Sequence, residues 1–224
     1  MSMGLARRLR EGTWTLHTTT ERAGVMPALL RGQLPADGFQ RLQRNLLAIY
    51  QALETGLQAH AAHPLLAPLQ LGPLARSDTL QADLAVLHGP QWATALPLTA
   101  TAQAYAQRLQ GLAQQQPPLL AAHAYVRYLG DLAGGQALRR IAQQTYQLPG
   151  DAGTRFFDFG PPEQVRQLGQ GLRQALDALP LDEAGTLALV AEAQWAFGQH
   201  ARLFEELAVQ RADPPGLAHA PDRT

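Results

Sequence analysis

A run of twelve residues, 125–136, concentrates groups that could do chemistry. It contains one carboxylate, Asp131, with Gly130, Gly134 and Gly135 around it. A glycine inside a helix costs about 1 kcal/mol relative to alanine. Three glycines around Asp131 therefore favour a bend, and a backbone that a flat group can approach closely. The pattern predicts the floor of a pocket; the alternative is a packing notch where another helix crosses.

A second candidate is an imidazole near the N-terminus. His17 lies late in the first predicted helix, at the border of its apolar stripe. A neutral imidazole in that place can ligate a heme iron and leave the sixth position open for oxygen. On residue patterns alone, a packed or solvated imidazole is the more ordinary interpretation of His17 and of the other six histidines.

Composition excludes several classes of function. The 224 residues carry equal numbers of acidic and basic side chains, 18 each, so a dominant nucleic-acid or anionic-membrane role is not expected. Cysteine is absent, which excludes disulfides, thiolate catalysis and cysteine-ligated metals. No signal peptide and no apolar run of membrane-spanning length is seen, so we expect a cytoplasmic protein without a membrane anchor.

The elements that must position these residues are predicted to be helices. Apolar residues recur at helical spacing, and no alternating run of strand type is found. We therefore predict an all-α, single-domain fold over residues 1–211, with a disordered tail at 212–224. Asp37 and Ser77 are predicted N-caps, and Thr99 is predicted to start a helix. The predicted helices run over about 5–24, 26–31, 37–60, 77–89, 99–115, 117–148, 161–179 and 182–211.

Three islands of sequence resemble the heme oxygenase family. Residues 128–136, Tyr-Leu-Gly-Asp-Leu-Ala-Gly-Gly-Gln, resemble its distal-helix signature, in which Ser usually stands where this chain has Ala133. Residues 16–21, Leu-His-Thr-Thr-Thr-Glu, resemble the setting of its proximal histidine, and residues 196–207 resemble its closing helix. The resemblance spans roughly residues 5–207. It implies a multi-helix fold with heme between the first helix and the glycine-bent distal helix.

The resemblance also implies roles for particular residues. His17 is the expected axial ligand of the heme iron, with Glu21 orienting its ring. Asp131 is expected on the oxygen side, holding a chain of waters that delivers a proton during oxygen activation. Arg127 and Tyr50 match positions that tie this network down.

Further residues are expected to hold the porphyrin. Buried propionates need cationic or hydroxyl partners. Trp14 and Gln170 stand where the family carries basic residues, and Arg173 could substitute for the second of these. Because propionate anchoring sets the rotation of the ring, cleavage at the α carbon is the favoured expectation. The expected heme contacts are Arg10, Tyr125, Gly130, Gly134, Gly135, Arg166, Arg173 and Phe197.

The implied activity is oxidative cleavage of heme b, as both substrate and cofactor, to biliverdin, carbon monoxide and ferrous iron with O₂. No Gly-x-Gly-x-x-Gly fingerprint follows a strand, so electrons are expected from a ferredoxin, a flavodoxin or a reductase. The docking surface for this electron donor is expected at Arg7, Arg139 and Arg140. The protein is expected to be a monomer. The alternatives are a heme carrier or sensor on the same fold, and a heme-free thiaminase-type helical scaffold, which would need the missing cysteine.

Overall fold

The computed structural model describes residues 3–69 and 72–212, and all regular structure in these ranges is helical. The predicted all-α class is therefore confirmed. The predicted disordered tail lies outside the described residues from position 213 onward. The helices are α1 Leu5–Thr20, α2 Met26–Leu30, α3 Ala36–Ala59, α4 Ser77–His88, α5 Trp92–Ala95, α6 Ala100–Gln115, α7 Leu120–Ala124, α8 Gly130–Tyr146, α9 Pro162–Asp177 and α10 Glu183–Ala212, with 3₁₀ turns at Gly72–Leu74, Pro117–Leu119 and Arg155–Phe157.

Two helix pairs organise the core. α3 packs along α6, and α1 packs along the long α10. The apolar stripe predicted for α3, including Phe39, Ile49 and Leu53, is fully buried, as expected for an amphipathic helix that faces a core. Within the described ranges, no helix is long and apolar enough to cross a membrane.

The predicted helix starts have mixed outcomes. The helix start predicted at Thr99 is confirmed to within one residue, and Thr99 is the N-cap, since its hydroxyl accepts the amide of Ala102 at 3.0 Å. Asp37 is wrong as a cap because the helix begins one residue earlier, after Pro35. Asp37 instead lies in the first turn of α3, where a carboxylate faces the positive end of the helix dipole.

The start of α4 is capped from another helix. Ser77 is the first residue of α4 rather than its cap. The carboxylate of Glu54, on α3, accepts the amides of Arg76 and Ser77 at 2.6 and 3.2 Å. A carboxylate that accepts two amides replaces a local cap. The prediction that Ser77 is the cap is therefore wrong, although the helix starts within one residue of the predicted position.

The glycine-containing helix is irregular just before its glycines. α7 passes into a π-helical turn at Tyr125–Leu129, and α8 begins directly after it at Gly130. A π turn holds one more residue per hydrogen-bonded ring than an α turn and is frequent at functional sites. The extra residue lies between the helix that anchors this segment in the core and the residues around Asp131.

Candidate functional site

A cleft runs between α1 and the segment formed by the π turn and α8. It consists of two adjoining cavities of about 230 and 460 Å³. We name them the inner cavity, which contains Asp131, and the outer cavity, which contains Arg10. Both are lined by His17, Val126, Gly130 and Phe197, so they are two halves of one cleft.

The inner cavity is mostly apolar. Residues from α2, α3, α8 and α10 line it together with two residues of the 3₁₀ turn at Arg155–Phe157. Such a wall suits a large flat apolar ligand with a few fixed polar contacts. Beyond the residues of α1, its polar side chains are Gln43, Arg127, Asp131 and His200; the apolar ones include Met26, Leu29, Phe39, Leu42, Leu46, Leu138, Phe156, Phe157 and Phe204.

Asp131 is held by two hydrogen-bond donors. Arg127 Nη2 donates to Oδ1 at 2.9 Å, and the Tyr50 hydroxyl donates to Oδ2. Arg127 Nε also donates to the Tyr50 hydroxyl oxygen at 3.2 Å, which closes a triangle of three polar groups. Tyr50 is fully buried, and the side chains of Arg127 and Asp131 are only 12% and 11% exposed. The arrangement fixes the carboxyl group at the cavity wall.

Burial changes the titration of this pair. It raises the pKa of Asp131 well above its ordinary value, because desolvation disfavours the charged carboxylate. The Arg127 and Tyr50 donors act in the opposite direction by stabilising the ionised form. Burial also lowers the pKa of Arg127 to about 10, so this guanidinium still carries its charge near neutral pH. Asp131 is consequently a group that can hold a proton inside the cleft.

The three glycines have different environments. A Cβ built on Gly130 or Gly134 meets no atom within 4 Å, and both residues line the inner cavity. These two positions leave open the space that a side chain would fill. A Cβ on Gly135 would lie 3.3 Å from the carbonyl oxygen of Phe157. Gly135 therefore serves a close helix contact and does not line either cavity.

His17 faces the cleft from α1. Its side chain is 43% exposed. The ring meets Phe197 edge to face at 5.7 Å and stacks beside Trp14 at 6.5 Å. Glu21 Oε1 lies 3.8 Å from Nδ1, which is longer than a hydrogen bond. The imidazole is thus oriented mainly by its aromatic neighbours.

The outer cavity carries cationic and hydroxyl groups. Arg10 on α1 and Arg173 on α9 line it, and neither forms an ion pair within the described part of the chain. Tyr125 also lines it, with its hydroxyl 3.3 Å from that of Thr13. Thr13 donates its own hydrogen to the Leu9 carbonyl at 2.7 Å, so the Tyr125 hydroxyl donates to Thr13. The outer cavity can accept the negative end of a ligand.

Arg166 is not brought to this cleft. Its side chain is exposed on α9, forms an ion pair with Glu163 and lines neither cavity. Arg166 and Arg173 lie on the same face of α9 but about 10 Å apart along its axis, and Arg173 is the one that lines the cleft. Among the basic positions proposed on α9, geometry favours Arg173.

Sequence reasoning missed two polar residues of the inner cavity. His200 and Gln43 are each only 1% exposed, and both line this cavity. His200 was one of seven histidines without a ligand-like spacing, and Gln43 lay inside an otherwise ordinary helix. No local signal separates them from core or surface residues, because their position depends on how α3 and α10 pack.

The fold and cleft define a helical protein that can hold a flat ligand with an acidic edge. The two open glycines, the imidazole across from them and the paired cations of the outer cavity fit a heme with its iron and two propionates.

Comparison with known proteins agrees with this geometry. The heme oxygenase family model matches residues 3–206. Heme oxygenase 1 of Nostoc sp. is 36% identical over 207 residues, which cover 92% of this chain and 87% of that protein. Human heme oxygenase 1 is 37% identical over 209 residues, 92% of this chain and 73% of that protein. The crystal structure of heme oxygenase-2 from Synechocystis sp. in complex with heme and NO superposes with a TM-score of 0.89 at 36% identity, covering 94% of this chain and 88% of that one. The chain belongs to the heme oxygenase family.

Proposed function

We propose that this protein is a heme oxygenase, which cleaves heme b to biliverdin, carbon monoxide and ferrous iron using O₂ and externally supplied electrons. The family membership supports the reaction. The observation that carries the proposal is the Arg127–Asp131–Tyr50 triangle, in which Arg127 and Asp131 line the same cavity as His17 and Tyr50 is fully buried. An acid fixed opposite a potential iron ligand is a catalytic arrangement rather than a binding one.

His17 is proposed to bind the heme iron. Its half-exposed ring leaves a nitrogen accessible from the cleft. Phe197 restrains the ring from α10, and a restrained imidazole loses less freedom when it coordinates iron. Gly130 and Gly134 then provide the opposite wall, where the missing Cβ atoms leave space for the porphyrin face.

Bound heme supplies both the iron that activates O₂ and the porphyrin carbon that is oxidised. Asp131 is proposed to hold a proton on its carboxyl group and to pass it to water in the inner cavity. Its raised pKa makes the protonated form accessible. Arg127 and Tyr50 keep the carboxyl group in one orientation by occupying Oδ1 and Oδ2. The apolar wall limits the number of competing proton donors.

The propionates are proposed to lie in the outer cavity, on Arg10, Arg173 and Tyr125. The two guanidinium groups come from different helices, α1 and α9, and two separated cations can fix the rotation of a ring with two carboxylates. With this anchoring we propose cleavage at the α carbon. Arg166 is left out of this set, because its side chain pairs with Glu163 and lines neither cavity.

The alternative function, a heme carrier or sensor, would need His17 and the cleft but not a proton donor. Asp131 favours the enzyme, because a buried acid in a cleft whose pKa is raised by desolvation is typical of a catalytic site. The family relatives favour the enzyme as well.

The decisive experiment is a hemin titration followed by ascorbate under air, with catalase present. We expect saturable one-to-one binding, then loss of the Soret band and growth of biliverdin absorption in the red. Chromatography of the product tests the α assignment. Binding without pigment formation would support the carrier, and absence of binding would overturn the proposed function.

An external electron donor is proposed to dock at the outer edge of the cleft, beside Arg7. Arg7 lines the outer cavity and is exposed, although it pairs with Glu11 at 2.8 Å. Arg140 is exposed on α8, whereas Arg139 is tied to Asp158 at 2.9 Å and is a weaker candidate. Arg7→Glu should slow turnover driven by ferredoxin and its reductase while leaving ascorbate-driven turnover unchanged. Arg155→Glu, at an exposed residue that lines neither cavity, is the control. Equal loss in both assays would contradict this docking site.

We also propose a cytoplasmic monomer. The exposed large apolar side chains of the described residues are dispersed over several elements, whereas an association surface gathers them into one patch. They are Met3, Trp14, Leu30, Val86, Leu187 and Val209. Sedimentation equilibrium tests the oligomeric state.

A further inference from the structure

Tyr105 is a buried tyrosine that is hydrogen-bonded to a chain of titratable groups. Its hydroxyl group lies 2.9 Å from Nδ1 of His123, and Nε2 of His123 lies 3.1 Å from Oε1 of Glu192. Arg108 donates two further hydrogen bonds to the Glu192 carboxylate, at 3.0 and 2.6 Å. Tyr105, His123 and Glu192 are all buried. None of these residues lines either half of the cleft, so the proposed heme site does not account for them.

The direction of these hydrogen bonds follows from the charge of Glu192. Burial acts to raise its pKa, but hydrogen bonds from His123 and Arg108 lower it to about 2, so near neutral pH the carboxylate can only accept. Nε2 of His123 therefore carries a hydrogen, Nδ1 presents a lone pair, and the Tyr105 hydroxyl is the donor to Nδ1. Burial lowers the pKa of His123, so its ring is neutral and Nδ1 can accept a proton.

Aromatic contacts connect Tyr105 to the inner cavity on one side and to solvent on the other. Its ring meets the ring of His200 edge to face at 5.2 Å, and His200 lines the inner cavity. It meets the ring of Trp195 edge to face at 5.1 Å, and Trp195 is partly exposed. Tyr105 is therefore one ring away from the inner cavity and one ring away from solvent. Electrons pass over such short separations without any movement of the protein.

The ease of oxidising a tyrosine depends on the acceptor of its hydroxyl group. Loss of one electron turns a phenol into a strong acid, so an adjacent base that takes the proton favours the oxidation. A neutral imidazole is such a base. Tyr125 donates instead to the Thr13 hydroxyl, and Tyr146 donates to the Leu34 carbonyl at 2.8 Å. Neither of these acceptors is a base.

Two further tyrosines donate to carboxyl groups that other donors already occupy. Tyr50 donates to Asp131, which Arg127 also holds and which is proposed to carry a proton of its own. Tyr128 donates at 3.2 Å to Glu54, whose carboxylate accepts the two amides at the start of α4. Hydrogen bonds to a charged carboxylate disfavour its protonation. All five tyrosines lie in the described part of the chain, and there only Tyr105 donates to an imidazole.

Arg108 favours an oxidised state on Tyr105 over one on Trp195. Its guanidinium carbon lies 5.2 Å from the centroid of the Trp195 ring. A positive charge over the face of an indole disfavours a second positive charge on that ring. Oxidised Tyr105 differs, because its proton moves to His123 and its ring stays neutral. The imidazolium formed on His123 faces the Glu192 carboxylate, which stabilises it.

We propose that Tyr105 is a redox site, oxidised by one electron to a neutral tyrosyl radical while its hydroxyl proton passes to Nδ1 of His123. The O–H bond of the phenol breaks, an N–H bond forms on the imidazole, and the electron reduces a one-electron oxidant that peroxide generates in the heme-loaded cleft. A soluble one-electron reductant such as ascorbate returns an electron through Trp195, and the proton goes back to the phenol. Oxidant is thereby removed before it attacks the cavity wall. This protective role rests on the proposed function, whereas the redox chemistry of Tyr105 does not.

The first test is pulse radiolysis of the ligand-free protein in azide solution. The azide radical oxidises tryptophan in preference to tyrosine at neutral pH. The parent protein carries Trp14→Phe and Trp92→Phe, so that oxidation starts on Trp195, its one remaining tryptophan. We expect the tryptophan radical to decay as tyrosyl radical grows in the parent and in Tyr146→Phe, and most of the tyrosyl signal to be lost in Tyr105→Phe. Tyrosyl growth in Tyr105→Phe equal to that of the parent would overturn the proposal.

A further variant separates the base from the hydrogen bond. His123→Gln, in the same parent, keeps an amide oxygen that can accept from the Tyr105 hydroxyl but cannot take its proton. We expect tyrosyl growth to slow by about 10²-fold, the lower end of what a positioned base contributes. An unchanged rate in His123→Gln would show that His123 acts only as a structural acceptor and would overturn its role as the base. Thermal unfolding checks that each variant is folded.

The protective role is tested on the hemin complex treated with hydrogen peroxide. Met26 lines the inner cavity, and a methionine thioether is oxidised to the sulfoxide. Mass spectrometry should show more Met26 sulfoxide in Tyr105→Phe than in wild type, with Tyr146→Phe matching wild type. Equal Met26 oxidation in all three proteins would overturn the protective role. Failure of the wild-type hemin complex to form biliverdin would refute the proposed function and the protective role with it, whereas the result on the ligand-free protein would stand.

Discussion

Arg127 and Asp131 lie one helical turn apart, and the Arg127 guanidinium donates to the Asp131 carboxyl group at 2.9 Å. The pair bridges the junction between the π turn and α8. Because both side chains are largely buried, removing one partner leaves the other without compensation in a medium of low dielectric. The pair therefore links the geometry of the helix to the proton chemistry of the cleft.

Asp131→Asn should abolish proton delivery while keeping the shape of the side chain. We expect unchanged hemin affinity and a loss of biliverdin formation of about 10²–10⁴-fold, the range for general acid catalysis. Single-turnover absorbance with ascorbate measures the loss. Asp78→Asn, an exposed carboxylate on α4, is the control. Normal biliverdin yield from Asp131→Asn would remove Asp131 from the mechanism.

His17→Ala should remove the iron ligand. The hemin complex is expected to lose its histidine-ligated absorption and resonance Raman signature, and added imidazole should restore it by occupying the space of the deleted ring. His88→Ala is a matched control, since His88 is exposed at the end of α4 and its ring hydrogen-bonds to Gln40. An unchanged spectrum for His17→Ala would place the ligand on another residue.

The outer-cavity cations should control affinity and the site of ring opening. Arg10→Gln and Arg173→Gln each remove a charged hydrogen bond to a propionate, and we expect about tenfold weaker hemin binding together with a mixture of biliverdin isomers. Chromatography of the pigments gives the isomer ratio. Arg166→Gln should behave as wild type because its side chain pairs with Glu163 outside the cleft. A changed ratio in Arg166→Gln alone would reverse this assignment.

Alanine substitutions at Gly134 and Gly111 should have similar effects on the free energy of unfolding but different effects on hemin affinity. Gly134→Ala adds a methyl group inside α8 that meets no protein atom within 4 Å. It should stabilise the ligand-free protein by about 0.5–1 kcal/mol while weakening hemin binding, since the methyl group projects into the cleft. Gly111→Ala in α6 also meets nothing and should give the stabilisation without the binding defect. Equal hemin affinities for the two variants, measured by titration, would contradict the role of Gly134.

The buried hydrogen-bond network around Glu192 should make the stability of the fold depend on pH. Burial acts to raise the pKa of Glu192, but hydrogen bonds from His123 and Arg108 outweigh it and lower the pKa from its ordinary 4.5 to about 2. A carboxyl group whose pKa is lower in the folded state than in the unfolded state stabilises the fold at pH values above the unfolded-state pKa. This contribution, about 3 kcal/mol, is lost as the pH falls from about 5 to 2. His123, whose pKa burial lowers, adds to the acid sensitivity because the unfolded chain binds its proton more readily.

Urea unfolding of wild type and Glu192→Gln at several pH values tests this. The variant should be less stable near pH 7, and the gap should close toward pH 2. Other titrating groups contribute equally to the stability of both proteins, so the comparison removes their effect. One of them is Asp83, whose burial raises its pKa to about 6 and gives stability the opposite pH dependence. A gap that stays constant with pH would show that Glu192 is not the titrating group.

The sequence predicted those features whose signal is local. Asp131 among its glycines and His17 on a helical stripe could be selected from short segments, and they come to line one cavity. Tyr50 lies 81 positions before Asp131, and only the family resemblance connected them. The Glu54 cap on α4 and the positions of Gln43 and His200 at the cleft left no local signal, because the satisfaction of a polar atom and the lining of a cavity are properties of tertiary packing.

The π turn at Tyr125–Leu129 makes the length of this segment as constrained as its chemistry. An α-helix advances about 100° per residue around its axis. The π turn already accommodates one extra residue, so inserting a second one between Ala124 and Gly130 would rotate Asp131 by about that angle relative to α7. The carboxyl group would then leave the cleft with every side chain intact, so a change of phase in this helix would be as damaging as the loss of Asp131 itself.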